Sequence, residues 1–525
     1  MSIPQDSSRH SSRREFLSAA GASAFLGMTT TEAFAGWRRR QRCCCVVPEC
    51  PPQPVCPPQP CVPSGPSLKV RQNIASLNGS QLDSLRKGVA AMKALPDSDP
   101  LSWRFQANIH GTLDPVTSPL FNNCQHGKLL FLAWHRGYLY YFERILRQAS
   151  GDPNLTLPYW GWTTAPALPE PYRLPASPSN SLYEGSRNIN DGSALPPHVV
   201  VDDLNTALAQ IPFPPSGFVG FSRSLEGSPH GAVHVLIGGL MGSVPTAAND
   251  PIFWLHHGNI DRVWNRWLNL NAGRVNPSDA AYLDTPYSFA DEHGNTVTRT
   301  VRELSNSEQL GYAYDDVPNP PAAPSPAARS HVMSAVMGPQ SLRAASTHEG
   351  DAPPAERKSL GFKPETVKLP LAPQHGAAFK AKAAAASPDK PGAILLQIEG
   401  LSVAEVPNFT YAVYLNLPEE EVDPARVKSH YVGSLNFFGK DSDHAGQPHH
   451  DHADGKALVD TFDVTAVVAR LQKANRWNPD AVSVTLRPLT PIPPKGGEEK
   501  LRQRSEASAE KAKISYQRIN LLVTP

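Results

Sequence analysis

The chain has 525 residues, too many for one core, and at about 100 to 200 residues per domain it should hold two or three. Lys+Arg 49 against Asp+Glu 48 leaves a net charge of +1, which excludes a field of one sign built to hold nucleic acid or an anionic membrane. The 54 prolines exclude a helical bundle throughout, and no apolar run reaches the roughly 18 residues that a spanning helix needs.

At the N-terminus, Ser12-Arg13-Arg14-Glu15-Phe16-Leu17 sets paired arginines before a short Ala-rich stretch to Met28, and Ala33-Phe34-Ala35 supplies a small-x-small cleavage site. This order resembles a twin-arginine export signal over residues 1–35. It implies a folded, cofactor-loaded protein delivered to the periplasm or secreted, with no membrane attachment after export. Residues 36–66 hold Cys43, Cys44, Cys45, Cys50, Cys56 and Cys61 amid Pro, Gln and Val, a composition that builds no core. Disulfide staples are the first reading in an oxidising compartment, and a soft-metal thiolate site is the second.

Residues 67–318 carry all the tryptophans except Trp37 and Trp477 and read as one large domain. Lys128–Arg147 is apolar almost all round, which predicts a buried helix, with His135 on the stripe of Leu139, Phe142 and Leu146. His110 and His126 precede it closely. His230 and His234 are four apart, so a helix stacks both imidazoles on one face, as two adjacent coordination positions require. Asn249-Asp250-Pro251 offers an N-cap and a first-turn proline for the helix PIFWLHHGNIDRVWNRWL. His256 and His257 are neighbours, and only one of them is expected to face a shared point. Asp261, one turn beyond His257, is the expected acceptor for the other nitrogen of that ring. Imidazoles without carboxylates suit copper, zinc or iron better than hard cations, and three nitrogens per metal leave room for a diatomic ligand. The reading is a three-plus-three histidine dicopper site that binds dioxygen.

Residues 319–360 form a Pro/Ala-rich linker. In residues 361–525, the runs Ala393–Ile398, Thr410–Leu415, Ala481–Leu486 and Ile519–Val523 predict strands of a small β-sandwich. The charged stretch Lys495–Lys513 is expected to be a solvated insertion. His444, His449, His450 and His452 read as a solvated loop, with copper loading as the second reading.

Asp250, Pro251, Phe253, Trp254, His257 and Asp261 spell DPxFWxxHxxxD. Together with Trp103, Gln106-Ala107, His110, Trp134-His135-Arg136, Tyr138, Glu143-Arg144, the run Leu157–Trp162 and Gly311-Tyr312-Ala313-Tyr314, they resemble the type-3 copper proteins: tyrosinases, catechol oxidases and plant-type polyphenol oxidases. The resemblance implies a mainly α catalytic domain with a four-helix-bundle dicopper core, followed by a small C-terminal β-sandwich that shields the site. It implies two copper ions, the first on His110, His126 and His135 and the second on His230, His234 and His257. Dioxygen and a phenolic or catecholic small molecule are the implied partners.

Gly111 follows His110 where plant-type members carry cysteines. Cys124-Gln125-His126 is instead similar to the Cys-x-His of fungal tyrosinases and molluscan oxygen carriers, which implies a thioether from Cys124 to His126; a buried thiol is the alternative. Glu226 stands where the family keeps a water-holding glutamate, and Gly231 stands where strong monophenol hydroxylators often carry Asn. Val244 stands where many plant-type enzymes carry a blocking Phe, so access to copper is expected to be open. These residues together imply strong catechol oxidation with weak or lagging monophenol hydroxylation. A full tyrosinase is the runner-up; an oxygen carrier and a zinc hydrolase rank lower. Residues 361–525 are expected to cover the copper entrance and keep the enzyme latent.

Overall fold

Strand β1 (Lys69–Arg71) runs parallel to β2 (Tyr312–Tyr314), pairing Lys69 with Tyr312 and Arg71 with Tyr314, so the two ends of the aromatic-rich region meet. The computed structural model describes residues 68–127, 129–213, 220–270, 273–318, 356–369, 381, 394–440 and 458–523. These residues belong to one compact unit. The export signal, the cysteine segment, residues 319–355 of the linker and His444, His449, His450 and His452 lie outside the described residues.

Between β1 and β2 stand five principal helices: α1 (Gly79–Lys93), α2 (Trp103–His110), α3 (Phe131–Ser150), α4 (Gly231–Ile237) and α5 (Pro251–Asn269). Their starts are chemically marked. Asn78 and Gln81 form a reciprocal capping box on α1, and the Ser102 side chain accepts from Phe105 N on α2. The expected Asp250 cap on α5 accepts from Ile252 N and also binds the buried Arg187 guanidinium at 2.6 Å. A left-handed Gly151 ends α3.

The apolar runs that predicted burial supply the core. Trp134, Trp160, Trp162, Trp254, Trp264 and Trp267 are all buried, and Phe142 of α3 lies flat against Trp254 of α5. Burying each such side chain contributes about 1.5–3 kcal/mol, so this aromatic layer fixes α3 against α5, the two helices that carry His135 and His257.

The C-terminal region is built from β3 (Glu365–Leu369), β4 (Ile394–Leu401), β5 (Thr410–Leu415), β6 (Tyr431–Leu435), β7 (Leu458–Asp463), β8 (Val482–Leu489) and β9 (Arg518–Val523). They form two antiparallel sheets, in the orders β7-β4-β9 and β3-β8-β5-β6. Leu396, Ile398, Val413, Leu415, Val484, Leu486 and Leu521 share one core between the sheets.

The charged stretch expected to be a solvated insertion is instead helix α6 (Glu498–Ala512). Leu501, Ser505, Ala509 and Ala512 form a buried stripe at helical spacing, too small and too diluted by charge to register as an apolar face. From this helix Arg504 reaches back to the carbonyl of Asn188 at 2.9 Å. No helix among the described residues is long and apolar enough to cross a membrane.

Candidate metal centre

Seven buried imidazoles converge between these helices: His110, His126, His135, His230, His234, His256 and His257. His110 ends α2, His135 sits early in α3 and His126 comes from the loop between them. His230 ends a π-helical turn, Glu226–His230, that leads into α4, and His234 follows one turn later. Ring centroids of His110 and His126, and of His126 and His135, are each 5.2 Å apart. His135 stacks on His257 at 4.4 Å and His126 lies 5.4 Å from His230, so the two triplets form one cluster.

Backbone carbonyls orient the rings. Nδ1 of His110 meets Val244 O at 3.0 Å, that of His135 meets Phe131 O at 2.8 Å, that of His230 meets Glu226 O at 3.0 Å and that of His234 meets Met241 O at 2.9 Å. Each such bond puts the proton on Nδ1 and turns the Nε2 lone pair inward. His126 differs, because its Nδ1 lies 3.3 Å from Cys124 Sγ.

The donor set fits a pair of copper ions. Nε2 of His135 and of His230 meets no protein partner although both are buried. The Nε2 atoms of His234 and His257 are 3.2 Å apart, close to the roughly 3.3 Å that separates two nitrogens bound tetrahedrally at about 2.0 Å. Burial keeps the rings neutral: it pushes His230 down to about 3 and takes His135, His234 and His257 well below the ordinary imidazole range. Neutral nitrogens without a carboxylate suit a borderline-soft ion.

Two expectations about α5 are corrected. His256 and His257 both face the cluster: ring nitrogens of His230, His234, His256 and His257 all lie within 4.8 Å of one another. Neighbouring side chains leave a helix about 100° apart, but imidazoles are long enough to converge on a point between the two directions. Asp261, in turn, does not hold His257, whose Nδ1 has no partner. Its carboxylate accepts from Arg136 Nε at 2.6 Å, Arg71 Nη1 at 3.3 Å, Tyr312 OH at 2.7 Å and Tyr314 OH at 2.6 Å. Guanidinium donors outcompete a neutral imidazole for a buried carboxylate. Burial raises the Asp261 carboxyl, and the charges of Arg136 and Arg71 more than offset it, so the group stays below the usual carboxylate range. Arg71, which also bonds Glu143 at 2.7 Å, carried no signal in the sequence, since one arginine in a short strand looks like any surface residue.

Glu226, Gly231 and Val244 line the cluster. Glu226 accepts from the backbone N–H of Gly127, next to His126, and its other oxygen is 3.7 Å from Arg223. Its own carbonyl holds His230, so one residue touches both triplets. Val244 gives its carbonyl to His110. The space above the rings, expected to be open, is taken by the loop after β6. Phe438 stacks on His234 with ring centroids 4.0 Å apart and planes 14° from parallel, and it lies 5.4 Å from His126. Asn436 donates to the Gly227 carbonyl and fills the place where a Cβ on Gly231 would sit, 2.6 Å from its Oδ1. The sequence singled out none of these loop residues, because their role depends on where the second region docks.

Sequence profiles agree with this geometry. One described as the common central domain of tyrosinase matches residues 100–196 and 186–270, and one described as the polyphenol oxidase middle domain matches 276–327. A domain of unknown function matches 354–497. The chain is 31% identical over 476 residues to Tyrosinase HcTyr1 of Hahella sp. (strain CCB-MM4), covering 80% of this chain and 95% of that protein. The chain belongs to the tyrosinase and polyphenol oxidase family. Another member of this tyrosinase and polyphenol oxidase family, the chloroplastic polyphenol oxidase of Malus domestica, is 28% identical over 489 residues, 84% of this chain and 78% of that one. The structure of latent apple tyrosinase superposes with a TM-score of 0.54 at 23% identity, over 87% of this chain and 98% of that one. Recombinant latent aurone synthase, a polyphenol oxidase, gives 0.55 at 22% identity, over 88% and 90%. These likenesses show a shared fold, a helical core followed by a C-terminal domain. Tyrosinases and polyphenol oxidases are copper oxidoreductases that act on phenols with dioxygen, and the cofactor is a pair of copper ions.

Proposed function

We propose that this family member oxidises o-diphenols to o-quinones and hydroxylates monophenols weakly or after a lag. In this reading His110, His126 and His135 hold the first copper and His230, His234 and His257 the second. The copper pair supplies the electron transfer between catechol and dioxygen. What carries the reading is the orientation of the rings: carbonyls on Nδ1 aim Nε2 of His110, His135, His230 and His234 inward before any ion arrives.

The protein's own groups do the rest. Glu226, fixed between the triplets by Gly127 and Arg223, is placed to accept the phenol proton through a water. Gly231 offers no side chain to orient that water, and this weakens the step that monophenols need and catechols do not. The Phe438 ring occupies the face of His234 where a substrate ring would stack, which supports reading residues 361–525 as a shielding domain over a catalytic domain of residues 67–318, joined by the linker 319–360. Cys124 beside His126 supports a thioether that holds this ring in place.

The test compares initial rates on tyramine and dopamine, with copper content and the near-ultraviolet band that appears when reduced protein meets air. Dopamine should be oxidised much faster than tyramine is hydroxylated, and Glu226→Gln should reduce the tyramine rate more. Equal rates would establish the second reading, a full tyrosinase, which the name of the Hahella relative favours. Phe438→Ala should raise the rate of the intact chain on the order of tenfold, the worth of one stacked and partly buried ring. A chain cleaved between Pro318 and Pro354 should gain activity; a fully copper-loaded cleaved chain no faster than the intact one would remove the shielding role.

A further inference from the structure

We propose that His256 is an auxiliary ligand of the second copper, a seventh imidazole that takes the ion when one of the three expected ligands lets go. The proposal rests on the dicopper reading above. His256 is fully buried in the middle of α5. A buried imidazole ordinarily sets its N–H against an acceptor, as His110, His135, His230 and His234 do against carbonyls. Neither ring nitrogen of His256 finds such a partner. The backbone of His230 lies beside the ring, short of hydrogen-bond geometry.

The ring's surroundings point to the second copper. It lies nearly parallel to His230, 5.4 Å away and inclined by 16°, and edge-on to His234 at 4.8 Å. One of its nitrogens is within 4.8 Å of ring nitrogens of His230, His234 and His257, a separation that four donors around one ion can close by small ring rotations. A leucine or phenylalanine at this position would pack the same core without burying two unsatisfied nitrogens. What the imidazole adds is a fourth donor. Copper enters and leaves by exchanging ligands one at a time, and a neighbouring nitrogen catches the ion between exchanges.

The experiment uses the intact chain loaded with two equivalents of copper. Wild type, His256→Phe and His256→Leu are transferred to excess EDTA, and copper loss is followed by atomic absorption, with circular dichroism to monitor folding. In both variants one of the two coppers should leave on the order of tenfold faster than in wild type while the other leaves at the wild-type rate. The one-copper product should show the Cu(II) resonance that the coupled pair hides. Wild-type release of both ions from a folded variant would overturn the proposal, and so would equal acceleration of both, which marks a packing role. A second measurement needs no variant at 256 alone: His257→Ala should still bind a second, weaker copper, and His256→Phe/His257→Ala should not. If both bind it equally, His256 is not a ligand. A wild-type chain that holds fewer than two coppers would remove the dicopper reading itself.

Discussion

In the proposed assignment the first copper's three histidines come from α2, a loop and α3, whereas the second copper's come from the Glu226–His230 turn, from α4 directly after it and from the long helix α5, which also carries a spare imidazole. The first triplet is therefore only as ordered as the chain between His110 and His135. Asn122 Oδ1 accepts from Thr112 N at 2.7 Å within that loop, Cys124 abuts His126, and Glu226 crosses from the other triplet to hold Gly127. The second triplet needs no such loop. A side chain on a helix inherits its position from the helix, and one on a loop must be held by its neighbours.

The largest effect that separates the halves is loss of a ligand. His110→Ala and His257→Ala should each reduce catechol oxidation by more than the roughly 100-fold that follows loss of a partner behind a ligand. Their copper contents should differ: His110→Ala should bind one ion, and His257→Ala one ion tightly and a second weakly. Identical titrations would erase the contrast.

Next in size is the charge cluster that serves both halves, since Arg136 adjoins His135 and Asp261 lies one turn from His257. Asp261→Ala leaves the guanidiniums of Arg71 and Arg136 buried without their shared carboxylate, and should cost about 3–5 kcal/mol. That corresponds to a fall of roughly 10 °C in the melting temperature of the copper-free protein. A change within 2 °C, read by calorimetry, would mean that the tyrosines and Glu143 suffice.

Cys124→Ser sharpens the comparison, because its effect should stay within the first triplet. Affinity for one copper should fall about tenfold and the other should be untouched. Intact mass settles the bond itself: a deficit of two hydrogens that survives reduction and alkylation is expected, and full alkylation of Cys124 in the unfolded chain would leave only a contact.

The smallest effect concerns the seam between the regions. Asp203 accepts from Ser228 and, across the seam, from Tyr431 of β6 at 2.8 Å. Burial raises this carboxyl to about 6, above its ordinary value near 4. Protonation therefore favours the closed arrangement. The stabilisation is complete below about pH 4 and is lost as the pH rises through about 6, by up to roughly tenfold per unit. Burial also raises Asp202, but hydrogen bonds from His198 and Lys428 more than offset it, so its titration falls below this window. The intact chain should be more latent at pH 5 than at pH 7.5, relative to the cleaved chain, and Asp203→Asn should flatten the difference.

The helices and their histidines were legible because ligand spacing, N-caps and apolar periodicity are local. Asp250 caps α5 as its motif requires, and four strand runs appear within a few residues of their expected places. What escaped detection is long-range. Three of the partners of Asp261 come from β1 and β2 and the fourth, Arg136, from α3, all far away in the chain. The convergence of His256 with His257 depends on the depth of the cluster, and Phe438 and Asn436 acquire meaning only when β6 docks. The stripe of α6 was hidden because alanine and serine bury little surface and leave little trace in hydropathy.

The parallel pairing of β1 with β2 turns the helical region into a closed ring. Arg262 binds Asp316 and Asn269 binds the Pro318 carbonyl just past the second strand, so that closure extends to the end of the ring. Lys69 stands beside Tyr312, about a strand spacing away, so a bridge that returns along the strand pair from residue 318 to residue 69 should allow the region to be circularly permuted, with new ends opened in an exposed turn such as the one around Gly294. A truncation that stops before Tyr312 would instead open the ring and strand Arg71 without its aromatic neighbours.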